Sequence, residues 1–282
     1  MIPLVIDLFA SKARASRYPN VCINQSLALI FLVQVTKQSF EIAESQLVRE
    51  KERTSEPDRK VSYVVRLFSD GTKEYAFLLK VLSFGRDRYW RNELIRRAGT
   101  TRSVLDIACG PGQVTFDFAR KGAYAVGVDV TLEMLNRAVE GKKEGQDVDF
   151  VLARAENLPF RSDSFEASTI SLALRNVSSQ LETVSEMRRC VKSGSFVMSL
   201  DFARPKSRFF RPFYNFYIFK VLPTFGLLIS KHWNVIILYL ANSIEKSRDP
   251  EKIESTMDSL GLHDLSVKKM THGTTAIVSG KK

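Results

Sequence analysis

The stretch VLDIACGPGQV, residues 104–114, has the pattern of a buried strand, a glycine-rich turn and the start of a helix. Gly110 and Gly112 let the backbone bend sharply and let a ligand lie close to it, while the following helix N terminus offers free N–H groups to a carboxylate. Asp129 ends the next strand about 20 residues further on, where an acid can accept hydrogen bonds from both ribose hydroxyls. These residues predict a nucleoside-binding site, in which we include Asp106 of the first strand.

The glycine pattern also argues against one class of nucleotide. Enzymes that bind nicotinamide or flavin dinucleotides need the third glycine of GxGxxG to bring helix and strand together, but that position is Thr115. The segment RAENLPF, residues 154–160, follows the third strand. In a nucleoside-binding sheet of this kind, we expect a segment at this place to border the adenine ring.

Short apolar runs alternate with helix-period segments from residue 103 onward, and this alternation predicts a parallel, doubly wound sheet. The predicted strands are 104–108, 125–128, 150–152, 167–172, 196–200, 265–269 and 275–279. The predicted helices are 114–121, 132–139, 181–191 and 252–260. The expected fold class is therefore α/β, with a Rossmann-like seven-stranded sheet and helices on both of its faces.

Changes in composition predict the domain organisation. Charged residues crowd between 41 and 60 with a break at 55–58, so we predict a helical N-terminal extension over 1–60 and one folded domain over 61–282. Residues 61–99 have a helical pattern that is interrupted at 83–85. The aromatic and aliphatic run 205–245 breaks the later rhythm and predicts a helical lid or substrate segment.

Size and charge restrict the class of protein and its partners. A chain of 282 residues with 44% hydrophobic residues fits one main core, and its net charge of +11 favours a nucleic acid, an anionic membrane surface or an acidic small molecule. Three separated cysteines with no CxxC pair predict neither a disulfide framework nor a metal site. No apolar run reaches the roughly 18 to 20 residues that span a bilayer.

The same features predict a cytoplasmic location, with possible attachment to the inner membrane face. The first 40 residues contain Lys12, Arg14, Arg17 and Lys37 against the single acid Asp7. This acid-poor bias is typical of organellar transit peptides, so the alternative is a location on the mitochondrial matrix side.

Several stretches resemble the ubiquinone/menaquinone biosynthesis C-methyltransferases, over about residues 61 to 281. They are VLSFGRDRYW (81–90), AENLPF (155–160), TISLALRNV (169–177), DFARP (201–205), YNFY (214–217) and VLP (221–223). The LRNV element is the most specific, because the glycine-rich loop occurs in many unrelated methyltransferases. The resemblance implies a class I S-adenosylmethionine-dependent fold and methyl transfer to a ring carbon of a polyprenylated hydroquinone, such as demethylmenaquinol.

The resemblance also implies where the cofactor, S-adenosylmethionine, would be contacted. These positions are Pro111, Asp129, Arg154, Ala155 and Ser171. Three residues depart from the family pattern, with Pro111 in place of Thr, Gln113 in place of an acid and Arg154 in place of an acid or amide. Pro111 has neither a hydroxyl nor an N–H, and Arg154 is a donor where the adenine amino group needs an acceptor. Binding is therefore expected to rely more on backbone groups.

Arg175 and Asn176 stand just past the fourth strand, at the edge where ligands bind in such sheets. A hydroquinone carbon becomes nucleophilic when a ring hydroxyl loses its proton. We therefore predict that Arg175 stabilises phenolate charge and that Asn176 orients the hydroxyl or a water. The alternative is a structural salt bridge and a turn residue. Candidates for a ring pocket are Tyr75, Tyr217 and Tyr239, with core packing as the alternative.

Basic and aromatic residues interleave between 204 and 220. This pattern suits an anionic membrane surface from which a polyprenyl tail enters the site, and the alternative is a core-facing lid helix with solvated charges. A methyltransferase acting on RNA would also have an excess of basic residues. The sequence contains no appended RNA-binding motif, so a nucleic-acid substrate is disfavoured. Another small-molecule methyltransferase and an inactive protein that binds S-adenosylmethionine stay as alternatives.

Overall fold

The computed structural model describes residues 31–32, 56–70, 75–224, 231–245 and 249–282. Its central sheet contains a two-residue edge strand, Phe31–Leu32, and seven longer strands: β1 (Ser103–Ile107), β2 (Tyr124–Asp129), β3 (Val148–Leu152), β4 (Phe165–Ser171), β5 (Val191–Phe202), β6 (His263–Met270) and β7 (Thr275–Lys281). They lie in the order β3-β2-β1-β4-β5-β7-β6. Strands β1 to β5 pair in parallel, whereas β7 is antiparallel to both β5 and β6.

All seven strands predicted from the sequence are present, and the Rossmann-like α/β fold class is confirmed. The largest difference concerns β5, which was predicted over 196–200 but begins at Val191. The preceding helix ends at Cys190, one residue earlier than predicted, and Val191 pairs at once with Phe165 of β4. A β-branched residue buried in a ladder favours the strand over another helical residue.

Nine helices are described: α1 (Glu56–Asp70), α2 (Tyr75–Leu82), α3 (Asp87–Ala98), α4 (Gln113–Ala119), α5 (Leu132–Gly141), α6 (Gln180–Cys190), α7 (Phe210–Phe216), α8 (Lys231–Glu245) and α9 (Pro250–Ser259). Helices α3, α4 and α5 pack on one face of the sheet, with Phe118 and Leu135 in that core. Helices α6 and α9 cover the other face through Met187 and Met257. Because both faces are covered, β1 is buried along its whole length.

A third apolar cluster lies apart from the two sheet cores. It joins α1, α2, α7 and α8 through residues that include Leu67, Leu82, Ile218 and Leu240. Directly after α7, residues Tyr217–Val221 form a π-helical turn. We call these four helices the cap. The described parts of the predicted lid segment 205–245 thus form helices that pack against the helices preceding β1.

The predicted extension 1–60 lies mostly outside the described residues. Phe31–Leu32 form a two-residue strand that pairs antiparallel with β3 at the edge of the sheet. Helix α1 begins at Glu56, with Pro57 in its first turn, so the boundary predicted at residue 60 falls inside a helix. In the described part of the chain, no helix is both long and apolar enough to cross a bilayer.

Candidate active site

The carboxylate of Asp129 is held at the carboxyl end of β2 by two backbone N–H groups. The amide of Gly110 donates to Oδ2 and the amide of Thr131 donates to Oδ1, each at 2.8 Å. The side chain is buried, and this burial raises the pKa of Asp129 above its usual value, while the two amides oppose the shift. Hydrogen bonding from the Thr131 side chain and the Val130 backbone also lowers the pKa of Asp129, so several donors surround this carboxylate.

The turn between β1 and α4 depends on glycine at two positions. Gly110 has a φ of 55° and Gly112 a φ of 79°, the left-handed region that side chains rarely adopt. A Cβ on Gly112 would also lie 3.0 Å from the rings of both Phe116 and Phe150. Gly112 therefore lets the start of α4 pack closely against the sheet, while Gly110 presents its amide to Asp129.

Asp106 lies at the centre of β1 and is completely buried. Its two oxygens accept hydrogen bonds from the hydroxyls of Thr115, at 2.7 Å, and Thr169, at 3.1 Å. Burial outweighs these bonds and raises the pKa of Asp106 from 3.8 to about 7. Asp106 of β1 is thus hydrogen-bonded both to α4 and to β4. Its burial disfavours the charged form of the carboxyl group.

The pKa of Asp106 is about 7 in the folded protein and 3.8 in the unfolded chain. Between these two pH values Asp106 is therefore protonated when the protein is folded and ionised when it is unfolded. The associated stability is present below about pH 4 and is lost as the pH rises to about 7, by about 4 kcal/mol. Asp106→Asn carries no charge at this position. We therefore expect the free energy of unfolding of the wild type to fall between pH 4 and pH 7, relative to that of Asp106→Asn.

Urea unfolding at a series of pH values measures this difference. Glu144→Gln removes one charge from an exposed position and serves as the control, since its pH profile should follow the wild type. A constant difference between Asp106→Asn and the wild type from pH 4 to pH 7 would contradict the raised pKa.

A cleft with two adjoining lobes opens at the carboxyl edge of the parallel strands. The first lobe encloses about 760 Å³ of empty space, its open mouth included, and is walled by Asp129, Ala155 and Asn176 among others. The second lobe lies beside the start of α4. Residues that line both lobes are Ala108, Gly110, Ser171 and Leu172.

Seven of the eight predicted cofactor residues line this cleft. They are Asp106 and Pro111 in the second lobe, Asp129, Arg154 and Ala155 in the first, and Gly110 and Ser171 in both. Gly112, the eighth, packs against Phe116 and Phe150. The structure therefore brings these residues together although they come from four different strand ends.

Arg154 lines the first lobe, but its side chain has partners at the edge of the lobe. Its Nη2 donates to the hydroxyl of Ser178 at 3.1 Å, and its Nε lies 3.6 Å from Oε2 of Glu156. Glu156 in turn accepts from the amide of Ser178 at 2.7 Å. These contacts fix the loop after β3, and Arg154, Ala155 and Glu156 all line the first lobe.

The guanidinium of Arg175 forms a buried ion pair rather than part of the cleft wall. Its Nη1 lies 2.5 Å from Oδ1 of Asp201 on β5 and donates to the carbonyl of Leu172 at 2.6 Å. Its Nε donates to the hydroxyl of Ser243 on α8 at 3.2 Å. This arrangement corresponds to the structural salt bridge considered above as the alternative, and Arg175 lines neither lobe, so its predicted stabilisation of phenolate charge stays a prediction.

Asn176, the next residue, does line the first lobe. Tyr239 of α8 donates its hydroxyl hydrogen bond to Oδ1 of Asn176 at 3.0 Å. Since Oδ1 is engaged as an acceptor, the amide nitrogen of Asn176 is the group left to donate. Tyr239 thus acts on the predicted site through Asn176.

Of the other two tyrosines of the predicted ring pocket, Tyr217 lines neither lobe of the cleft. Tyr217 donates its hydroxyl to the carbonyl of Val81 at 3.0 Å, and its ring stacks on Phe84 with centroids 4.3 Å apart. It therefore joins α7 to α2 within the cap, which is the packing role considered as its alternative. Tyr75 begins α2, but its side chain lies outside the described residues.

Some cleft residues were not singled out from the sequence. Helix α1 contributes Val64 and Phe68 to the first lobe, and Ser69 anchors this helix by donating to Glu133 of α5 at 2.7 Å. Arg91 of α3 lines the second lobe. The apolar residues of α1 recur with helical spacing, and this pattern is the same for residues that line a cleft and for residues that face a core.

Arg91 is fixed by several acceptors beside the start of α4. Its Nη1 lies 2.6 Å from Asp87, its Nε donates to Asp117 at 2.8 Å, and Nη1 also approaches Oε1 of Gln113 at 3.4 Å. The second lobe is therefore lined both by the guanidinium of Arg91 and by Pro111, which has no N–H to donate.

Comparison with known proteins gives a family match over most of the chain. The sequence pattern of the ubiE/COQ5 methyltransferase family matches residues 54–282. A ubiquinone/menaquinone biosynthesis C-methyltransferase UbiE of Geobacter sulfurreducens is 34% identical, over 77% of this chain and 87% of the relative. A demethylmenaquinone methyltransferase of Paenarthrobacter aurescens is 30% identical, over 80% and 88%.

Solved structures show the same fold at low sequence identity. A SAM-dependent methyltransferase of Thermotoga maritima is 16% identical, with a TM-score of 0.56 over 77% of this chain and 99% of that one. A phosphoethanolamine N-methyltransferase of Haemonchus contortus, in complex with S-adenosyl-L-methionine, has a TM-score of 0.54 and 16% identity over 73% of this chain and 56% of that one. With its family match over most of its length, the chain is an S-adenosylmethionine-dependent methyltransferase and belongs to the ubiE/COQ5 methyltransferase family.

Proposed function

We propose that this protein transfers a methyl group from S-adenosylmethionine to a ring carbon of a polyprenylated hydroquinone, such as demethylmenaquinol, in menaquinone or ubiquinone biosynthesis. The observation that carries the proposal is that Asp129 and the Asn176–Tyr239 pair meet at one lobe of the cleft. One group fits a nucleoside and the other fits a ring oxygen. The substrate class follows the relatives named UbiE and demethylmenaquinone methyltransferase.

The residues of the cleft fit the cofactor. Asp129 is oriented by backbone amides at the wall of the first lobe, where its two carboxylate oxygens suit the two hydroxyls of a ribose. The loop at Arg154 and Ala155 would border the adenine ring through its backbone. Arg91 and the free N–H groups at the start of α4 would hold the methionine carboxylate, in a lobe where Pro111 has no N–H to give.

S-adenosylmethionine supplies an electrophilic methyl group on a sulfonium, so the task of this chain is to hold a nucleophilic carbon in line with it and to exclude water. Phe68 and Val64 of α1 close the first lobe with apolar side chains. The fixed position of α1, through Ser69 and Glu133, keeps that wall in place.

A hydroquinone carbon attacks more readily as its neighbouring hydroxyl gives up its proton. We assign to the Asn176 amide nitrogen the hydrogen bond that orients the ring oxygen and stabilises its developing negative charge. Tyr239 keeps this amide in one orientation. Arg175 acts as a positioning residue, because it binds the carbonyl of Leu172, four residues before Asn176, and the hydroxyl of Ser243 on α8, the helix that carries Tyr239.

Kinetics of Asn176→Ala test this assignment. Removing one donor to a developing oxyanion lowers turnover by about 100-fold or more, so kcat with a short-tailed demethylmenaquinol should fall by that factor. The dissociation constant for S-adenosylmethionine, measured by calorimetry, should stay within a factor of two of the wild type, about the precision expected of such a comparison. Tyr239→Phe should cause a smaller loss of about tenfold, because the amide remains but is no longer fixed.

Tyr63→Phe provides the matched control. Its ring centroid lies 5.7 Å from that of Tyr239, and its side chain is half exposed, so loss of its hydroxyl should leave kcat unchanged. Equal turnover of Asn176→Ala and the wild type would refute the role of Asn176. A loss of cofactor affinity equal to the loss of turnover would place Asn176 in the cofactor site instead.

A further inference from the structure

Helix α7, together with its N-cap residue Phe209, carries a row of exposed aromatic side chains. Phe209 is 86% exposed, Phe213 74% and Phe216 63%, and their spacing of four and three residues places them on one face of the helix. We call these three residues the phenylalanine stripe. Scattered apolar side chains are common on protein surfaces, but three adjacent exposed phenylalanines on one helix face are not.

The opposite face of the same helix already has its apolar partners. Tyr214 of α7 and Ile218 of the π-helical turn that continues it are buried in the cluster that joins the cap helices, and Tyr217 of that turn is held by Val81 and Phe84. The phenylalanine stripe is therefore not needed to attach α7 to the protein. A helix that is apolar on both faces is typical of one that packs on protein on one side and contacts another apolar medium on the other.

The charge around the stripe has one sign. Residues 204–220 contain five Lys and Arg and no Asp or Glu. Arg204 and Lys206 pair with acids near the start of α9. Within the part of the chain that the structure describes, Arg208, Arg211 and Lys220 form no ion pair, and all three are exposed.

We propose that the phenylalanine stripe inserts into the interface of an anionic lipid bilayer, with Arg208, Arg211 and Lys220 against the lipid headgroups. Aromatic side chains are favoured at the boundary between headgroups and acyl chains, and cations beside them are attracted to anionic lipid. The charge separates this occupant from a second copy of the chain, because two such faces would bring like charges together.

The location of the stripe connects it with the cleft. Helix α7 packs within the cap, whose helix α1 contributes Phe68 and Val64 to the wall of the first lobe. A bilayer bound at α7 therefore lies against the same group of helices that closes the cleft. Binding to lipid itself requires no particular methyl acceptor, so the proposal does not depend on the quinol substrate.

Sedimentation of the full-length protein with lipid vesicles tests the proposal. The wild type should bind vesicles of equimolar phosphatidylcholine and phosphatidylglycerol and bind pure phosphatidylcholine much less. The triple variant Phe209→Ser/Phe213→Ser/Phe216→Ser should lose about tenfold or more of its partition into the mixed vesicles. Arg208→Gln/Arg211→Gln/Lys220→Gln should lose about 100-fold, and this loss should disappear at high salt, where the wild type is weakened equally.

Matched controls separate the stripe from general apolarity and charge. Leu181→Ser removes another exposed apolar side chain, on α6, and Lys121→Gln/Lys143→Gln/Arg161→Gln removes three exposed charges elsewhere. Both controls should bind mixed vesicles more tightly than the corresponding stripe variants. Calorimetric titration with S-adenosylmethionine should give wild-type affinity for every variant, which shows that the cofactor site is intact.

Three results would overturn the proposal. The first is a wild-type protein that fails to bind the mixed vesicles, and the second is a phenylalanine variant that binds them as well as the wild type. The third is a wild-type dimer, detected by sedimentation velocity without lipid, that dissociates in the phenylalanine variant. That result would assign the stripe to a contact between two copies of the chain.

Discussion

Asp129→Ala is expected to weaken the binding of S-adenosylmethionine by about 100- to 10,000-fold, because two hydrogen bonds to a buried charged group are lost together. The carboxylate is already oriented by the amides of Gly110 and Thr131, so the wild type spends little binding energy on ordering it. Calorimetric titration of S-adenosylmethionine or S-adenosylhomocysteine into each protein measures the change directly. No quinol is needed for this experiment.

The control for Asp129→Ala is Glu140→Ala, which removes an exposed acid from α5. Its affinity for the cofactor should equal that of the wild type. Circular dichroism at the temperature of the titration shows whether Asp129→Ala is folded, since its two backbone donors lose their acceptor. Retained affinity in a folded Asp129→Ala protein would show that the cofactor binds elsewhere.

Asp201→Ala is expected to lower the free energy of unfolding by about 3 to 5 kcal/mol, because it leaves the guanidinium of Arg175 buried without its counter-ion. Arg175→Met/Asp201→Leu replaces both partners by apolar groups of similar size. Its free energy of unfolding should lie within about 1 to 2 kcal/mol of the wild type. Urea unfolding of the three proteins measures both differences.

The double variant also separates stability from positioning. With the ion pair gone, nothing donates from position 175 to the carbonyl of Leu172 or to the hydroxyl of Ser243. Turnover should therefore fall in a protein of near-normal stability, while its affinity for S-adenosylmethionine is retained. An unfolding free energy of Asp201→Ala equal to that of the wild type would be incompatible with a buried, paired Arg175.

The cofactor side of the site was predictable because its signals are local. Gly110, Gly112 and Asp129 belong to strand ends, and the carboxyl ends of parallel strands meet at one edge of the sheet. The strand-helix alternation that places them there is strong from residue 103 onward. Both the fold and the residues around Asp129 follow from this short-range pattern.

The acceptor side depends on pairs that are distant in sequence. Arg175 meets Asp201 from the neighbouring strand, and Asn176 meets Tyr239 from α8, 63 residues away. The spacing of residues along the chain carries no information on which of several tyrosines reaches Asn176. Phe68 was missed for a different reason. An apolar residue on a helix gives the same sequence pattern whether it faces a core or a cleft.

The position of the methyl group in the product decides whether the protein is a quinol C-methyltransferase. The protein is incubated with S-adenosylmethionine that carries a ¹³C-methyl group and with reduced demethylmenaquinone, and the quinone product is examined by mass spectrometry and NMR. We expect one added methyl carbon, bonded to a ring carbon of the quinone. A label on the quinol oxygen, on RNA added as a competing acceptor, or on neither acceptor while S-adenosylmethionine is bound would contradict it.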